Sequence, residues 1–289
     1  MKKYGKIIIA FMWLGLTMIM IVGATFAWFA ENRNVEAGGM EVKAETVKNL
    51  MISNAAEGTY GISADSALTG VKELAPASTA TALADSAFFA AVDATRTNGY
   101  IDAATGQITG TPATPTPFRA ANINTVAQGS ENHVEVVKHT FYIKSDGTVL
   151  GSLYVKSISV MHKDASNNNA LINPASDISK AIRVAVVYDT TAKIFAPVYS
   201  QLSETAPSYN GITAVTPSTA AVTLSTPDGD AATPSCVLTT SIPATTGTPL
   251  TVYVYIWYEG QDLNCTSAKS ANVEDLVVTV TFGATEASN

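Results

Sequence analysis

The fold class follows from the segment 250–259, LTVYVYIWYE, which contains no glycine or proline and one charged residue. Its length and its enrichment in Val, Tyr, Ile and Trp predict a β-strand. Successive side chains of a strand point to opposite faces, so each face of its central part, residues 252–257, carries three apolar or aromatic residues. One set comprises Val252, Val254 and Ile256, and the other comprises Tyr253, Tyr255 and Trp257. A strand of this kind is either buried on both sides or presents one face to another subunit. We therefore expect the aromatic set to be a candidate subunit interface, or to be covered by residues 55–130.

Further strands are expected on both sides of this segment. Residues 276–282, LVVTVTF, place Leu276, Val278, Val280 and Phe282 on the inward face. Residues 134–144 and 149–162 predict a hairpin, because the sequence SDGT at 145–148 is typical of a turn. Additional extended segments are expected at 40–45, 181–189, 193–197, 221–225 and 236–242. About eight to ten strands with few helices predict an all-β fold, an antiparallel β-sandwich or jelly roll.

One domain, residues 28–289, accounts for the exported part of the chain. Residues 55–130 form a Thr/Ala-rich insertion in which 77–92 is expected to be a short helix and 109–117, TGTPATPTP, a loop. Charged residues make up 14% of the 289 residues, and the formal charge is −7. The acidic balance, without a basic stripe, excludes nucleic acid as the main partner. Three histidines and two cysteines exclude a cysteine-rich zinc domain.

The first thirty residues have the composition of an export signal. Lys2, Lys3 and Lys6 precede an uncharged, mostly apolar run at 7–30, which predicts a leader helix. The run is long enough to span a bilayer as a retained anchor. Thr25 and Ala27 instead match the small residues before a signal peptidase site, with cleavage between Ala27 and Trp28. Both alternatives place residues 31–289 outside the cytoplasm. Loss of the three lysines of residues 1–27 changes the formal charge from −7 to −10.

A family resemblance supports cleavage. The segment 23–29, GATFAWF, followed by Asn32, Arg33 and the segment 37–42, AGGMEV, resembles the leader and mature start of the TasA/camelysin-like proteins of Gram-positive bacteria. The resemblance implies processing by a SipW-type signal peptidase and membrane contact during export. Residues 252–260 with Asp262 and Cys265, and the segments 181–186 and 194–197, resemble clostridial surface proteins that carry such leaders.

The resemblance also implies a mode of assembly. In TasA-like fibres, the N-terminal segment of one subunit completes the β-sheet of the next. The corresponding donor here is 28–45, with Trp28, Phe29, Val35, Met40 and Val42 as its apolar side chains. Such a contact is head to tail, so it propagates into a filament. We expect cleavage after Ala27 to license assembly, and a chain without residues 28–45 to stay monomeric.

The sequence offers no catalytic, metal-binding or cofactor-binding site. His133 and His139 are six residues apart, about 20 Å along a strand, and are expected to be surface or edge histidines. Neither HExxH nor GxSxG occurs, so an enzyme is not expected. Asp228 and Asp230 are interpreted as an ordinary turn, with a calcium site as the less favoured alternative. The segment 259–262, EGQD, is interpreted as a solvated turn.

Cys236 and Cys265 are the only cysteines and lie in the exported part of the chain. An oxidising location favours one disulfide between them, the alternative being two buried free thiols.

Three functions remain open at this point. The sequence favours a secreted homopolymeric subunit of a cell-surface or biofilm-matrix filament. The second alternative is a membrane-anchored adhesin or binding protein that retains residues 7–30, and the third is a secreted camelysin-type peptidase. The intact mass of the exported protein separates the first two, because the filament subunit should start at Trp28.

Overall fold

The computed structural model describes residues 39–46, 49–69, 73–91, 118–124, 133–164, 170–172, 179–213, 216–218, 220–231, 233–262, 264–265 and 276–287. The chain divides into two compact units, Met1–Ala37 and Gly38–Asn289, and every described residue belongs to the second. The predictions for the leader, the cleavage site and the loop 109–117 therefore lie outside the described residues. Within those residues, no helix is long and apolar enough to cross a bilayer.

The regular secondary structure of the described residues is almost entirely β-strand, which confirms the all-β expectation. Its strands are β1 (Gly39–Thr46), β2 (Leu50–Ser53), β3 (Ser63–Thr69), β4 (Glu73–Leu74), β5 (Pro76–Ser78), β6 (Phe89–Ala91), β7 (Phe118–Ala120), β8 (His133–Val134), β9 (Val136–Ser145), β10 (Leu153–Asp164), β11 (Ala170–Ile172), β12 (Ile182–Tyr188), β13 (Thr191–Phe195), β14 (Ile212–Thr213), β15 (Thr216–Pro217), β16 (Val237–Thr239), β17 (Leu250–Glu259) and β18 (Leu276–Ala284). A 3₁₀ turn at Asp85–Ala87 and a short helix α1 (Pro197–Gln201) accompany them.

Two large sheets organise these strands. Sheet I has the order β11-β10-β18-β1-β3, and β16 pairs with the start of β10. In sheet II, β17 lies between β12 on one edge and β9 on the other, β2 pairs with β9, and β13 pairs with β12. The last two residues of β17 also pair with β5, which continues the sheet into β6 and β7. Most pairings are antiparallel as expected, but β1 runs parallel to β18 and β5 runs parallel to β17.

The main core lies between the two sheets. Val278 and Val280 of β18 and Val252 and Val254 of β17 belong to one buried cluster, and each is 0% exposed. The alternation predicted for residues 276–282 is confirmed, since all four of its inward residues lie in this cluster. Each fully buried Val, Ile or Phe side chain contributes about 1.5–3 kcal/mol relative to an exposed one. The sheets are thus held face to face by apolar burial.

A second buried cluster covers the outer face of β17. The ring of Phe88 lies 5.0 Å from that of Tyr255 and 5.3 Å from that of Trp257, measured between centroids. Tyr255 and Trp257 are only 1% and 0% exposed. Tyr253 is half-buried, with Lys138 Nζ 4.3 Å from its ring centroid. The proposed subunit interface at Tyr253, Tyr255 and Trp257 is therefore wrong for the last two residues, because the insertion 55–130 of the same chain covers them.

Several local predictions are also corrected. Residues 136–145 and 153–164 do not form a hairpin, because β9 joins sheet II and β10 joins sheet I. The connection between them is long enough to cross the roughly 10 Å between stacked sheets. The helix expected at 77–92 is not formed in its described part, 77–91, which contributes most of β5, the 3₁₀ turn and β6. Residues 221–225 contain no strand.

One close approach inside sheet I is testable. Tyr154 of β10 pairs with Gly283 of β18, and a Cβ atom built on Gly283 would lie 2.6 Å from Tyr154 Cε2. Gly283→Ala should therefore lower the free energy of unfolding by about 1–3 kcal/mol, since the buried ring must move to admit the methyl group. Urea denaturation monitored by circular dichroism measures the loss.

Gly147→Ala is the matched control, because a Cβ there meets nothing within 4 Å. Equal stability of the two variants would contradict the steric argument.

Candidate functional site

The first strand of the folded unit occupies an interior position of sheet I. Val42 of β1 lies opposite Val278 of β18 on one edge and opposite Ser66 of β3 on the other. Val42 and Ala44 are both 0% exposed. After Thr46 the chain passes to β2 in sheet II, so β1 is joined to the rest of the described unit at its C-terminal end. Of the predicted donor residues, Met40 and Val42 are in β1, whereas Trp28, Phe29 and Val35 lie outside the described residues.

Strand β3 covers the outer edge of β1 and is the terminal strand of sheet I on that side. Ser66 of β3 is hydrogen-bonded through Oγ to Nδ1 of His139 in β9, at 2.8 Å. Asn54, just after β2, donates from Nδ2 to the carbonyl of Asp65 at 2.8 Å. Both contacts run from sheet II, or its immediate continuation, to β3. They hold β3 against the edge of β1, beside which it lies in sheet I.

His139 is buried rather than exposed, contrary to expectation. It is 4% exposed, on the face of β9 that also carries Val137 and Phe141. Burial lowers the pKa of His139 to about 4 because a charged imidazole loses its hydration in the apolar interior. Nε2 has no hydrogen-bond partner among the residues that the structure describes. His139 is therefore neutral at ordinary pH, and protonation would be costly.

A second polar centre lies at the end of β17, where the solvated turn was expected. Nη2 of Arg183 in β12 donates to Oδ2 of Asp262 at 2.6 Å, and both side chains are 0% exposed. The Tyr199 hydroxyl of α1 also donates to this carboxylate, 3.1 Å from its oxygens. A buried guanidinium of this kind is tolerated only with a carboxylate partner and further hydrogen bonds. The contacts thus connect β12, α1 and the turn after β17.

Glu259 is the second buried carboxylate of this centre and is 0% exposed. It accepts hydrogen bonds from Trp257 Nε1 at 2.9 Å and from the backbone N–H of Gln261 at 3.1 Å. Burial raises the pKa of Glu259 to about 7, and the hydrogen bond from Trp257 opposes the rise without cancelling it. Its proton equilibrium therefore lies near neutral pH, although the carboxyl group has no contact with solvent.

The sequence of β12 contains a feature from which the buried polar centre around Arg183 could have been predicted. Arg183 is the only charged residue in the strand IRVAVVY, and a buried strand with one cation requires an anion nearby. The acidic turn 259–262 supplies it, but the two are 79 residues apart in sequence. Sequence reasoning therefore missed Arg183 and Tyr199 and placed Glu259 and Asp262 in solvent.

The expected disulfide is not formed, and Cys236 and Cys265 are both buried. The carbonyl of Cys236 accepts from the N–H of Val155, near the start of β10. Cys265 instead follows the Asp262 turn, which contacts α1. Both side chains belong to the main buried cluster, and no covalent bond closes the loop between residues 236 and 265. Burial also raises the pKa of Cys236 to about 11, which suppresses the reactive thiolate.

Metal binding finds no support in the part of the chain that the structure describes, where no group of three or more His, Cys, Asp or Glu side chains could hold an ion. Asp228 accepts hydrogen bonds from the N–H groups of Ser235 and Cys236, at 2.9 and 2.7 Å. Asp230 pairs with Lys156 at 2.6 Å. The two carboxylates considered for calcium are thus engaged within the protein, as in an ordinary turn.

A cleft of about 330 Å³ lies between α1 and the segment 224–227, with Tyr199 forming part of its wall. Its charged wall residue is Glu204, which pairs with Lys180 at 2.7 Å. The remaining walls are small, hydroxylated or apolar.

Comparison with protein-family models, curated proteins and solved structures found no match in any of the three. The geometry of β1 and β3 and the resemblance at the leader are therefore the observations that bear on function.

The buried carboxyl of Glu259 predicts a pH-dependent stability. A folded-state pKa near 7 against about 4.5 when unfolded means that Glu259 is neutral and well tolerated at low pH. The contribution of Glu259 to the free energy of unfolding is therefore fully present below pH 4.5 and is lost as the pH rises through 7. Glu259→Gln removes this loss, so the variant should gain up to roughly 3 kcal/mol relative to wild type between pH 4.5 and 8. Urea titrations at a series of pH values measure it.

The exposed Glu286 provides the control. Glu286→Gln should show no pH-dependent difference, and a flat difference for Glu259→Gln as well would contradict the buried-acid assignment.

Proposed function

We propose that the exported chain is a structural subunit of an extracellular cell-surface or biofilm-matrix filament. It is exported by its N-terminal leader, cleaved after Ala27 by a SipW-type signal peptidase, and assembles head to tail with copies of itself by exchange of its N-terminal strand. The single observation that supports this most is the position of β1, the first strand of the folded unit, between β18 and β3. In this proposal the exported domain is an elaborated jelly-roll-type sandwich preceded by a leader helix.

The contacts of β1 favour exchange because they are extensive and do not depend on which chain supplies them. Residues 41–46 pair with β18, and residues 39–45 pair with β3. Its inward side chains, Val42 and Ala44, are fully buried. The same strand of a second copy would make the same hydrogen bonds and bury the same side chains. Exchange of an identical element is a low-cost route to association for this reason.

Exchange through one terminal strand also sets the type of assembly. The donor β1 and the acceptor groove between β18 and β3 are different surfaces of the subunit. A contact between two different surfaces is heterologous, and it extends into a filament unless the rotation closes a ring. The −10 charge of the chain without residues 1–27 keeps free subunits apart by mutual repulsion, so association requires a specific contact.

A pair of engineered cysteines tests whether β1 is exchanged. Lys43 of β1 lies opposite Thr279 of β18, and both side chains point away from the buried face. Adjacent strands are about 4.8 Å apart, within the Cα range of a disulfide. Lys43→Cys/Thr279→Cys protein, expressed with its own leader and collected outside the cell, is assembled under reducing conditions and then oxidised. We expect a ladder of covalent oligomers on non-reducing gels.

The matched control joins strands that are not exchanged. Ser159 of β10 lies opposite Thr279, so Ser159→Cys/Thr279→Cys should form its disulfide within one chain and migrate as a monomer. Filaments whose Lys43→Cys/Thr279→Cys disulfides are all intramolecular would exclude strand exchange. Absence of filaments under electron microscopy would contradict the structural role itself.

A further inference from the structure

We propose that the contact between His139 and Ser66 is an acid-sensitive latch that holds β3 over β1 and so controls when β1 is free to exchange. The latch would regulate the exchange of β1, so this proposal rests on the proposed function.

The latch lies where release of β1 must begin. Strand β1 is flanked by β18, which is itself paired with β10, and by β3, which is the terminal strand of sheet I. The β3 side is therefore the one that can open without breaking the β10–β18 pairing. Ser66, the residue opposite Val42, is bonded to His139 of the other sheet at 2.8 Å. The contact joins the two sheets directly beside Val42, one of the two fully buried residues of β1.

Protonation weakens this contact because, among the residues that the structure describes, none on the surrounding inward faces carries an opposite charge. Glu41, Lys43 and Glu45 of β1 alternate in sequence with Val42 and Ala44, and Asp65 of β3 precedes Ser66. Alternation therefore places Lys43, Glu45 and Asp65 on the outward face, away from His139. On β9, Lys138 alternates with His139 in the same way, and β2 and β18 contain no titratable residue. Tyr258 is the titratable residue on the inward face of β17, four residues beyond Val254, the partner of His139.

The imidazolium would also have two N–H donors, of which only the one at Nδ1 has an acceptor in reach. Nε2 is buried and has no partner in the described residues. Opening of β3 exposes both nitrogens to water, so acid favours the open state. This direction follows from the depressed pKa of about 4 in the closed state against about 6.5 in water. Stability of the closed state is complete above pH 6.5 and is lost as the pH falls towards 4.

The size of the effect follows from the same two pKa values. Between pH 7 and pH 5, the ratio of open to closed molecules should rise roughly twentyfold. Because exchange requires the open state, assembly should accelerate by a similar factor.

Amide hydrogen exchange of the purified protein measures the opening without requiring assembly. In the wild type, the amides of β1 and β3 should exchange before those of β17, and their protection, corrected for intrinsic rates, should fall roughly twentyfold from pH 7 to pH 5. In His139→Asn, whose amide still reaches Ser66 but does not titrate, their protection should be unchanged over this range.

His162→Asn is the matched control, since His162 is in β10 of sheet I and contacts Ser179 at 3.2 Å, away from β3. It should retain the wild-type pH response. An identical pH response in wild type and His139→Asn would overturn the latch. Exchange of β1, β3 and β17 in one joint event would overturn it as well, because no separate opening of β3 would then exist.

The Lys43→Cys/Thr279→Cys variant distinguishes failure of the latch from failure of the proposed function. Opening of β3 that depends on His139, with no intermolecular disulfides after assembly at either pH, would exclude strand exchange and leave the acid-sensitive opening of β3 intact. For this comparison the protein is assembled under reducing conditions at pH 5 or at pH 7, and samples taken over time are oxidised at one common pH, because disulfide formation itself depends on the thiolate. Intermolecular disulfides that accumulate equally fast after assembly at pH 5 and at pH 7 would refute the latch and leave strand exchange intact.

Discussion

Burial of both faces of β17 is the constraint on which the rest of the structure depends. A ten-residue strand without glycine, proline or an internal charge has no face that water can solvate favourably. Its aliphatic face requires a second sheet, and β10, β18 and β1 provide it across the main core. Its aromatic face requires a separate cover, which Phe88 and its neighbours provide. The second sheet buries one face of β17, and the structured part of the insertion buries the other.

Strand positions could be predicted where side chains alternate strongly, whereas strand partners could not. The bounds of β17 and the inward residues of β18 follow from sequence because burial depends on local periodicity. The strands that β9 and β10 pair with could not be predicted from the sequence. A turn signal shows that the chain reverses, but it does not show whether the two flanking strands lie in one sheet or in two. The error at 77–92 has a similar cause. A run rich in alanine favours a helix locally, but Phe88 is placed by its contacts with Tyr255 and Trp257.

The candidate site was harder to predict, because its contacts join residues that are distant in sequence. Met40 and Val42 were identified from the leader resemblance, but that β1 lies between β18 and β3 is a tertiary property. His139 and Ser66 are 73 residues apart, and a lone histidine on a strand is more often exposed than buried. Glu259 and Asp262 were assigned to solvent for the same reason. The cation that makes their burial tolerable lies on another strand, and acidic residues beside a glycine are typical of an exposed turn.

The parallel pairing of the first and last strands gives the folded unit a direction. Glu41 lies opposite Val277 and Thr46 opposite Phe282, so β1 and β18 run the same way through sheet I. The start of β1 and the end of β18 are therefore at opposite ends of the sheet, roughly 20 Å apart or more. A fluorescent protein or affinity tag fused after β18 would emerge at the pole opposite to the point where β1 begins. Such a fusion would mark one pole of each subunit, and a row of subunits would display its orientation under the microscope.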